Sequence, residues 1–242
     1  ETFYRCIQCY EPPLRQWRVY FLGAIMSIEI ADFELIRHVR KLEQKPAVCA
    51  ILGDCKHHYP ASRTEFANET KFETIDTFDV NGNPTHLVDL NNDIPEEFHN
   101  KYDWVIDSGT LYCCFDVATV FKNIMKMVKV GGYVFHTGNL TGFYGRGYYS
   151  LSPALYSEIY PINGFEVKLI GTHTKKNRNR WQIMKPGNTY LQSADENELI
   201  FTSESSPFIP MIPNDSMICC LAKKVEEKRF TRPTANHYTQ LG

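Results

Sequence analysis

Three acids and one histidine stand where side chains could do chemistry. Asp76 follows Phe72-Glu-Thr-Ile, Asp89 follows Thr85-His-Leu-Val, Asp107 closes Tyr102-Asp-Trp-Val-Ile, and His136 closes Tyr133-Val-Phe. Each run reads as a β-strand, so all four residues sit at carboxyl ends, where open α/β sheets bind ligands. An acid about 20 residues beyond a glycine turn commonly accepts hydrogen bonds from ribose hydroxyls. Gly53 supplies the turn and Asp76 is the expected acceptor, with a plain turn or cap carboxylate as the competing reading. Asp89, Leu90 and Asn91 could meet an adenine amino group or shape the loop beneath it. His136 and Asp107, at the ends of adjacent strands, are candidates for a general base. The bland alternative for His136 is a structural imidazole bonded to a backbone carbonyl.

These side chains need a sheet to hold them. Ala47-Val-Cys-Ala-Ile-Leu is a continuous apolar run, as expected of a buried parallel strand, and it ends at Gly53-Asp54. From Tyr102 the chain runs strand, amphipathic segment to Met127, a turn at Gly131-Gly132 and a second strand, which is a βαβ unit. Upstream, apolar residues at Phe33, Leu35, Ile36, Val39 and Leu42 mark one face of a helix with Asp32 as its N-cap. Downstream, Ser152-Pro153 reads as a helix start and Asn163-Gly164 as its stop. Phe165-Glu-Val-Lys-Leu and Ser216-Met-Ile-Cys-Cys supply late strands. Between Thr137 and Ser152, Gly138, Gly142, Gly145 and Gly147 are interleaved with Tyr144, Arg146, Tyr148 and Tyr149. Such a loop over a crevice suits a sugar or a polar aromatic ring, because tyrosines stack and donate hydrogen bonds; a turn-rich connection is the alternative.

Composition narrows the partners. The 242 residues are 43% hydrophobic, enough for one sizeable core. A net charge of −2 offers no basic field for nucleic acid or an anionic membrane. The one basic cluster, Lys175-Lys-Asn-Arg-Asn-Arg before Trp181, reads as a solvated hairpin before it reads as a phosphate or RNA contact. The chain has no apolar run of roughly 18 residues, and its first residues lack the pattern of a signal peptide. Most of the 8 cysteines lie in or beside apolar runs, where a free thiol packs as a small hydrophobe. A reducing cytoplasm is the expected setting. Cys6 and Cys9 form half of a zinc site with no second pair at ribbon spacing, so no metal is expected, and His57-His58 read as a solvated pair.

The order Gly53, Asp76, Asp89-Leu-Asn, Tyr102-Asp-Trp-Val-Ile-Asp and Val128-Lys-Val-Gly-Gly-Tyr-Val-Phe resembles a class I S-adenosylmethionine-dependent methyltransferase over residues 45 to 170. More narrowly it is similar to bacterial methyltransferase-like proteins of surface-polysaccharide pathways. Those carry Gly-Thr-Leu-Glu-His and Gly-His-Gly-Phe-Tyr-Gln-Phe-Ser-Pro-Glu-Leu where this chain has Gly109-Thr-Leu-Tyr-Cys and Gly145-Arg-Gly-Tyr-Tyr-Ser-Leu-Ser-Pro-Ala-Leu. The resemblance implies a Rossmann-like fold: a mostly parallel seven-stranded sheet, helices on both faces and an antiparallel last strand. It implies an extension and helix in residues 1–44, the α/β domain in 45–225 and a tail in 226–242. The implied activity is methyl transfer from S-adenosylmethionine to a small polar acceptor, such as a glycan or nucleotide-linked sugar. Gly53, Asp76, Asp89, Leu90, Asn91 and Asp107 would face the cofactor, His136 and Asp107 the reaction, and Tyr112, Tyr144, Arg146, Tyr148 and Tyr149 the acceptor. Two departures, Tyr112-Cys113 in place of Glu-His and a first loop with the single Gly53, support the alternative of an inactive binding or scaffolding module.

Overall fold

The computed structural model describes residues 27–54, 56–57, 62–142, 145–174, 182–184, 190–195, 198–202 and 215–234. Tyr144, Cys6, Cys9, His58 and the cluster from Lys175 to Trp181 lie outside the described residues, as does the side chain of His57. In chain order the elements are β1 (Ser27–Ile28), α1 (Ile30–Glu43), β2 (Ala47–Leu52), β3 (Lys56–His57), α2 (Arg63–Thr70), β4 (Phe72–Asp79), β5 (His86–Leu87), β6 (Tyr102–Ser108), α3 (Val117–Met127), β7 (Val128–Asn139), α4 (Pro153–Ile162), β8 (Phe165–Thr174), β9 (Gln182–Met184), β10 (Tyr190–Asp195), β11 (Glu198–Thr202) and β12 (Ser216–Lys224).

The main sheet has the order β5-β4-β2-β6-β7-β12-β8-β9. β5, β4, β2, β6 and β7 are parallel, and β12 runs antiparallel between β7 and β8. This is the expected doubly wound sheet with its antiparallel last strand, extended by one edge strand, β9, that the sequence pattern did not reveal. Because β4 flanks β2 on one side and β6 on the other, the chain reverses its winding between β2 and β6. Their carboxyl ends, at Gly53 and Asp107, bound the crevice where such sheets take ligands.

Alternation along the strands feeds two cores. On one face Phe33 and Ile36 of α1 and Phe66 of α2 pack on Cys49, Ile51, Trp104, Ile106 and Phe135. On the other, Val120, Phe121 and Ile124 of α3 and Tyr156 and Tyr160 of α4 pack on Ala50, Leu52, Val105 and Val134. Leu42, expected on the apolar stripe of α1, is exposed. The helix also starts earlier than its first acid suggested: Glu29 is the N-cap, and Asp32 closes a capping box by accepting the Glu29 N–H at 3.1 Å. In α4 the reading holds, with Ser152 Oγ accepting the Ala154 N–H at 3.2 Å and Pro153 opening the helix.

The Gly131-Gly132 turn proves to be a bulge inside β7. Two steps along β6, Tyr102 to Trp104, are matched by Val128 to Tyr133 on β7. Gly131 takes φ 86°, and a Cβ on Gly132 would lie 2.7 Å from the Asp103 carbonyl oxygen. Only a residue without a side chain lets the two backbones approach this closely.

Val225, Glu226 and Thr231, at and within the stretch read as a tail, are tied to the turn after α4. The Gly164 carbonyl accepts the N–H groups of Val225 and Glu226, Asn163 exchanges hydrogen bonds with the Thr231 backbone at 2.7 and 2.9 Å, and Phe230 packs on the core. Gly164 sits at φ 81°, and a Cβ there would lie 2.5 Å from the Glu226 carbonyl oxygen. Gly164→Ala is therefore expected to lower stability by about 1–3 kcal/mol, measured by denaturant unfolding. An unchanged midpoint would mean that this strap is not held.

Candidate functional site

The loops at the carboxyl ends of β2 and β4 are sewn together. Gly53 leaves β2 at φ 91° and donates its N–H to the Phe78 carbonyl at 2.6 Å. The next N–H, of Asp54, reaches Asp79 Oδ2 at 2.7 Å, while Asp79 Oδ1 accepts from Val80 at 2.7 Å and Asn81 at 3.3 Å. Asp54 in turn pairs with Arg63 at 3.1 Å. The acid that ends β4 is thus Asp79. A carboxylate offers about four lone-pair directions, and the described contacts of Asp79 leave it room for one more donor.

Asp76, the expected ribose acceptor, lies elsewhere. It pairs with Ala50 in mid-strand, and at about 3.3 Å per residue it falls roughly 10 Å short of Asp79. Its Oδ2 is taken by the Tyr102 hydroxyl at 2.8 Å, Lys101 at 3.3 Å and His86 at 3.5 Å. Burial works against ionisation of this carboxyl, but the hydrogen bonds from Tyr102, Lys101 and His86 outweigh it and hold it below the usual carboxylate range. Asp76 then contributes stability above its unfolded pKa of about 3.9, and the contribution is lost as pH falls through the lower folded value. Thermal melts of Asp76→Asn should accordingly lose less stability than the parent between about pH 5 and about pH 2; parallel profiles would show that the carboxylate carries none of it.

Asp89, Leu90 and Asn91 do come together at the crevice edge. Asp89 Oδ1 accepts the Asn91 N–H at 2.9 Å and its side-chain amide at 2.8 Å, which lowers the Asp89 pKa. Leu90 is buried, and Asn91 Oδ1 accepts the Asp116 N–H at the start of α3 at 2.9 Å. The residue that fixes this loop was not anticipated. Asn123, wholly buried on α3, donates to the carbonyls of Leu90 and Asn92 and accepts the Ile94 N–H at 3.0 Å. Its signal was present as an amide on the apolar face of a helix.

Asp107 and His136 are brought together, but sealed away from the crevice. Both have zero exposure. His136 Nδ1 lies 2.7 Å from Asp107 Oδ2 and Nε2 meets the Tyr160 hydroxyl. With Asp107 as the carboxylate, Nδ1–H is the donor to it. Asp107 Oδ1 accepts the N–H groups of Thr110 and Leu111 at 2.8 and 3.0 Å. Neither ring nitrogen is left for a substrate, so the general-base expectation gives way to a buried relay that positions the turn after β6. The cause is strand alternation: Asp107 and His136 are register partners on the face covered by α4, while Ser108 and Thr137 face the other way.

Tyr112 is likewise core. Gly109, Gly138 and Gly147 leave space for its ring, and its carbonyl accepts the N–H groups of Tyr148 and Tyr149 at 2.8 and 3.3 Å. This latches the loop after β7 onto the turn after β6. Arg146, Tyr148 and Tyr149 are exposed there. Phe115, 72% exposed, stands edge-on to Tyr148, itself 68% exposed, at 5.7 Å, and Tyr149 Oη donates to the Phe115 carbonyl at 2.8 Å. The neighbouring thiols are half-buried, and burial followed by the nearby Asp107 pushes Cys113 up to about 11 and Cys114 up to about 12. Both stay protonated at neutral pH and are weak nucleophiles. Among the described residues no group of His, Cys, Asp and Glu could hold a metal ion, and no helix is long and apolar enough to cross a membrane.

No family model matches this sequence, and no curated protein does. Solved structures match by shape. A candidate methyltransferase from Bacillus halodurans C-125 aligns over 81% of this chain and 99% of its own, at 9% identity and TM-score 0.52. The Burkholderia thailandensis 1,6-didemethyltoxoflavin-N1-methyltransferase, solved with 1,6-didemethyltoxoflavin and S-adenosylhomocysteine, aligns over 88% of this chain and 84% of its own, at 11% identity and TM-score 0.47. A methyltransferase from Archaeoglobus fulgidus aligns over 78% and 94%, at 14% identity and TM-score 0.46. Strand order, the antiparallel strand between β7 and β8 and the likeness to the Bacillus protein together give this chain the Rossmann-like fold of the class I methyltransferases.

Proposed function

We propose that this chain binds S-adenosylmethionine in the crevice between β2 and β6 and directs its methyl group to a small polar acceptor. The observation that carries the reading is the pair of carboxylates at the ends of β4 and β5, Asp79 and Asp89, beside the switch point. They suit the group: Asp79 keeps a lone pair for a ribose hydroxyl, and Asp89, exposed and held ionised, can accept from an adenine amino group. Gly53 would let the backbone approach, with Leu90 and Asn91 forming the floor and edge of the base site. The bound cofactor supplies an already activated sulfonium methyl, so the protein's task is orientation and exclusion of water.

On the acceptor side, Tyr148, Tyr149 and Arg146, with Phe115 added, form an exposed aromatic and cationic rim. Stacking rings beside a guanidinium suit a glycan or nucleotide-linked sugar, in keeping with a role in surface-polysaccharide synthesis in the cytoplasm. Calorimetric titration should show binding of S-adenosylmethionine and S-adenosylhomocysteine; no heat from either at millimolar concentration would overturn the reading.

A further inference from the structure

We propose that the cleft between the carboxyl-terminal ends of α1 and α2 binds a small phosphorylated sugar, free or as part of a nucleotide; the inference does not rest on the methyl-transfer reading. The cleft has a volume of about 540 Å³ and is lined by Arg40 and Lys41 of α1, the turn after them, the end of α2 and the start of β4. Pockets of roughly 300–1,000 Å³ take small molecules. This one opens where β2 and β4 begin, at Ala47 and Phe72, whereas the cofactor crevice lies where they end. About six residues of strand at about 3.3 Å each put roughly 20 Å between the two.

Charge selects the ligand. In a chain of net charge −2, the cleft sets Arg40, Lys41, Lys45 and Lys71 against only Glu69 and Glu73. Among the described residues the three lysines take part in no ion pair. Arg40, 4% exposed, donates to the carbonyls of Thr70, Lys71 and Lys45 and to Glu43 at 2.7 Å, which engages four of its five N–H groups. One N–H on Nη1 is left over among the described residues, and a buried charged donor on a cleft calls for an acceptor. The same guanidinium ties both helix ends together, so the cleft is held open before any ligand arrives. Gln44 and Lys71 cap the two helices at φ 52° and 58°, positions that glycine takes most readily, yet both put a polar residue on the cleft. Three ammonium groups beside a guanidinium suit a group with more than one negative charge, and a phosphate ester carries about −1.5 to −2 near neutral pH. Glu73 is exposed and outside any ion pair among the described residues, and Glu69 reaches Arg37 only at 4.0 Å, so both can accept hydroxyl groups. Cations for the phosphate and acceptors for hydroxyls together specify a sugar phosphate. The same acids interrupt the run of positive charge that a nucleic-acid backbone needs.

The test titrates the full chain by calorimetry, at low salt, with ribose 5-phosphate, glucose 6-phosphate and uridine monophosphate, and with glucose and inorganic phosphate for comparison. At least one of the three phosphorylated probes should bind, more weakly as salt rises, while glucose should not. Which of them binds separates a free sugar phosphate from a nucleotide. Inorganic phosphate should bind at least about tenfold more weakly than the best probe. Lys45→Gln combined with Lys71→Gln should weaken that probe at least about tenfold, and Lys41→Gln alone about threefold. All three side chains are exposed, so the fold is spared, and S-adenosylhomocysteine should bind the variants as it binds the parent. No binding of any phosphorylated probe, equal binding by the double variant, or inorganic phosphate bound as tightly as the sugars, an adventitious ion only, overturns the proposal. Failure of S-adenosylhomocysteine to bind the parent overturns the methyl-transfer reading and leaves this one standing.

Discussion

Asp79→Asn is expected to weaken S-adenosylhomocysteine binding by about tenfold or more, whereas Asp76→Asn should leave it within about threefold. The difference rests on three residues of strand. Asp79 ends β4 beside Gly53, with its carboxylate held by three backbone N–H groups and one direction left for a ligand hydroxyl. A hydrogen bond to a charged group contributes about 1.5–3 kcal/mol net, about ten- to hundredfold in affinity. Asparagine keeps the size but loses the charge, and its NH₂ would face an N–H that Oδ1 or Oδ2 now accepts. Asp76 has spent its carboxylate on Tyr102, Lys101 and His86, well down the strand. Calorimetry on both variants decides the matter. A larger loss in Asp76→Asn than in Asp79→Asn would return the ribose to Asp76 and overturn the role proposed for Asp79.

The fold was legible because it is written in runs and punctuation. Ala47–Leu52 and Tyr102–Ser108 are continuous apolar strands, Ser152-Pro153 opens a helix, and Gly131-Gly132 marks the close approach of β6 and β7. The site was legible only as a set of strand ends. Phe72-Glu-Thr-Ile-Asp-Thr-Phe-Asp holds two acids in one strand, and sequence offers no register to show which of them reaches the crevice. Pairing of Phe78 with Leu52 does. Facing was hidden in the same way, since a shift of one residue turns Asp107 and His136 from crevice to core. Asn123 escaped notice because a buried amide owes its meaning to partners far along the chain. It ties Leu90, Asn92 and Ile94.

The largest effect on stability is expected at His136. His136→Leu removes a hydrogen-bond donor from a buried carboxyl group, and losing a hydrogen bond to a charged group costs about 1.5–3 kcal/mol, more where the group is left buried and unsatisfied. The loss should be visible as a lower denaturant midpoint. Adding Asp107→Asn to that variant should recover part of it, because asparagine takes away the stranded charge while its oxygen can still accept from Thr110 and Leu111. The two substitutions are therefore expected to be non-additive, the double variant being more stable than His136→Leu alone. Tyr160→Phe should cost less, since it removes one hydroxyl contact and leaves the bond between His136 and Asp107 in place. The relay also ties the turn Thr110–Cys114 to β7 and α4, so these losses should bring looser binding of S-adenosylhomocysteine with them. A His136→Leu protein as stable as the parent, binding S-adenosylhomocysteine normally yet unable to transfer methyl, would assign the imidazole to chemistry. The geometry argues against that outcome, because a histidine with both nitrogens engaged and no exposed atom has nothing left to offer a substrate.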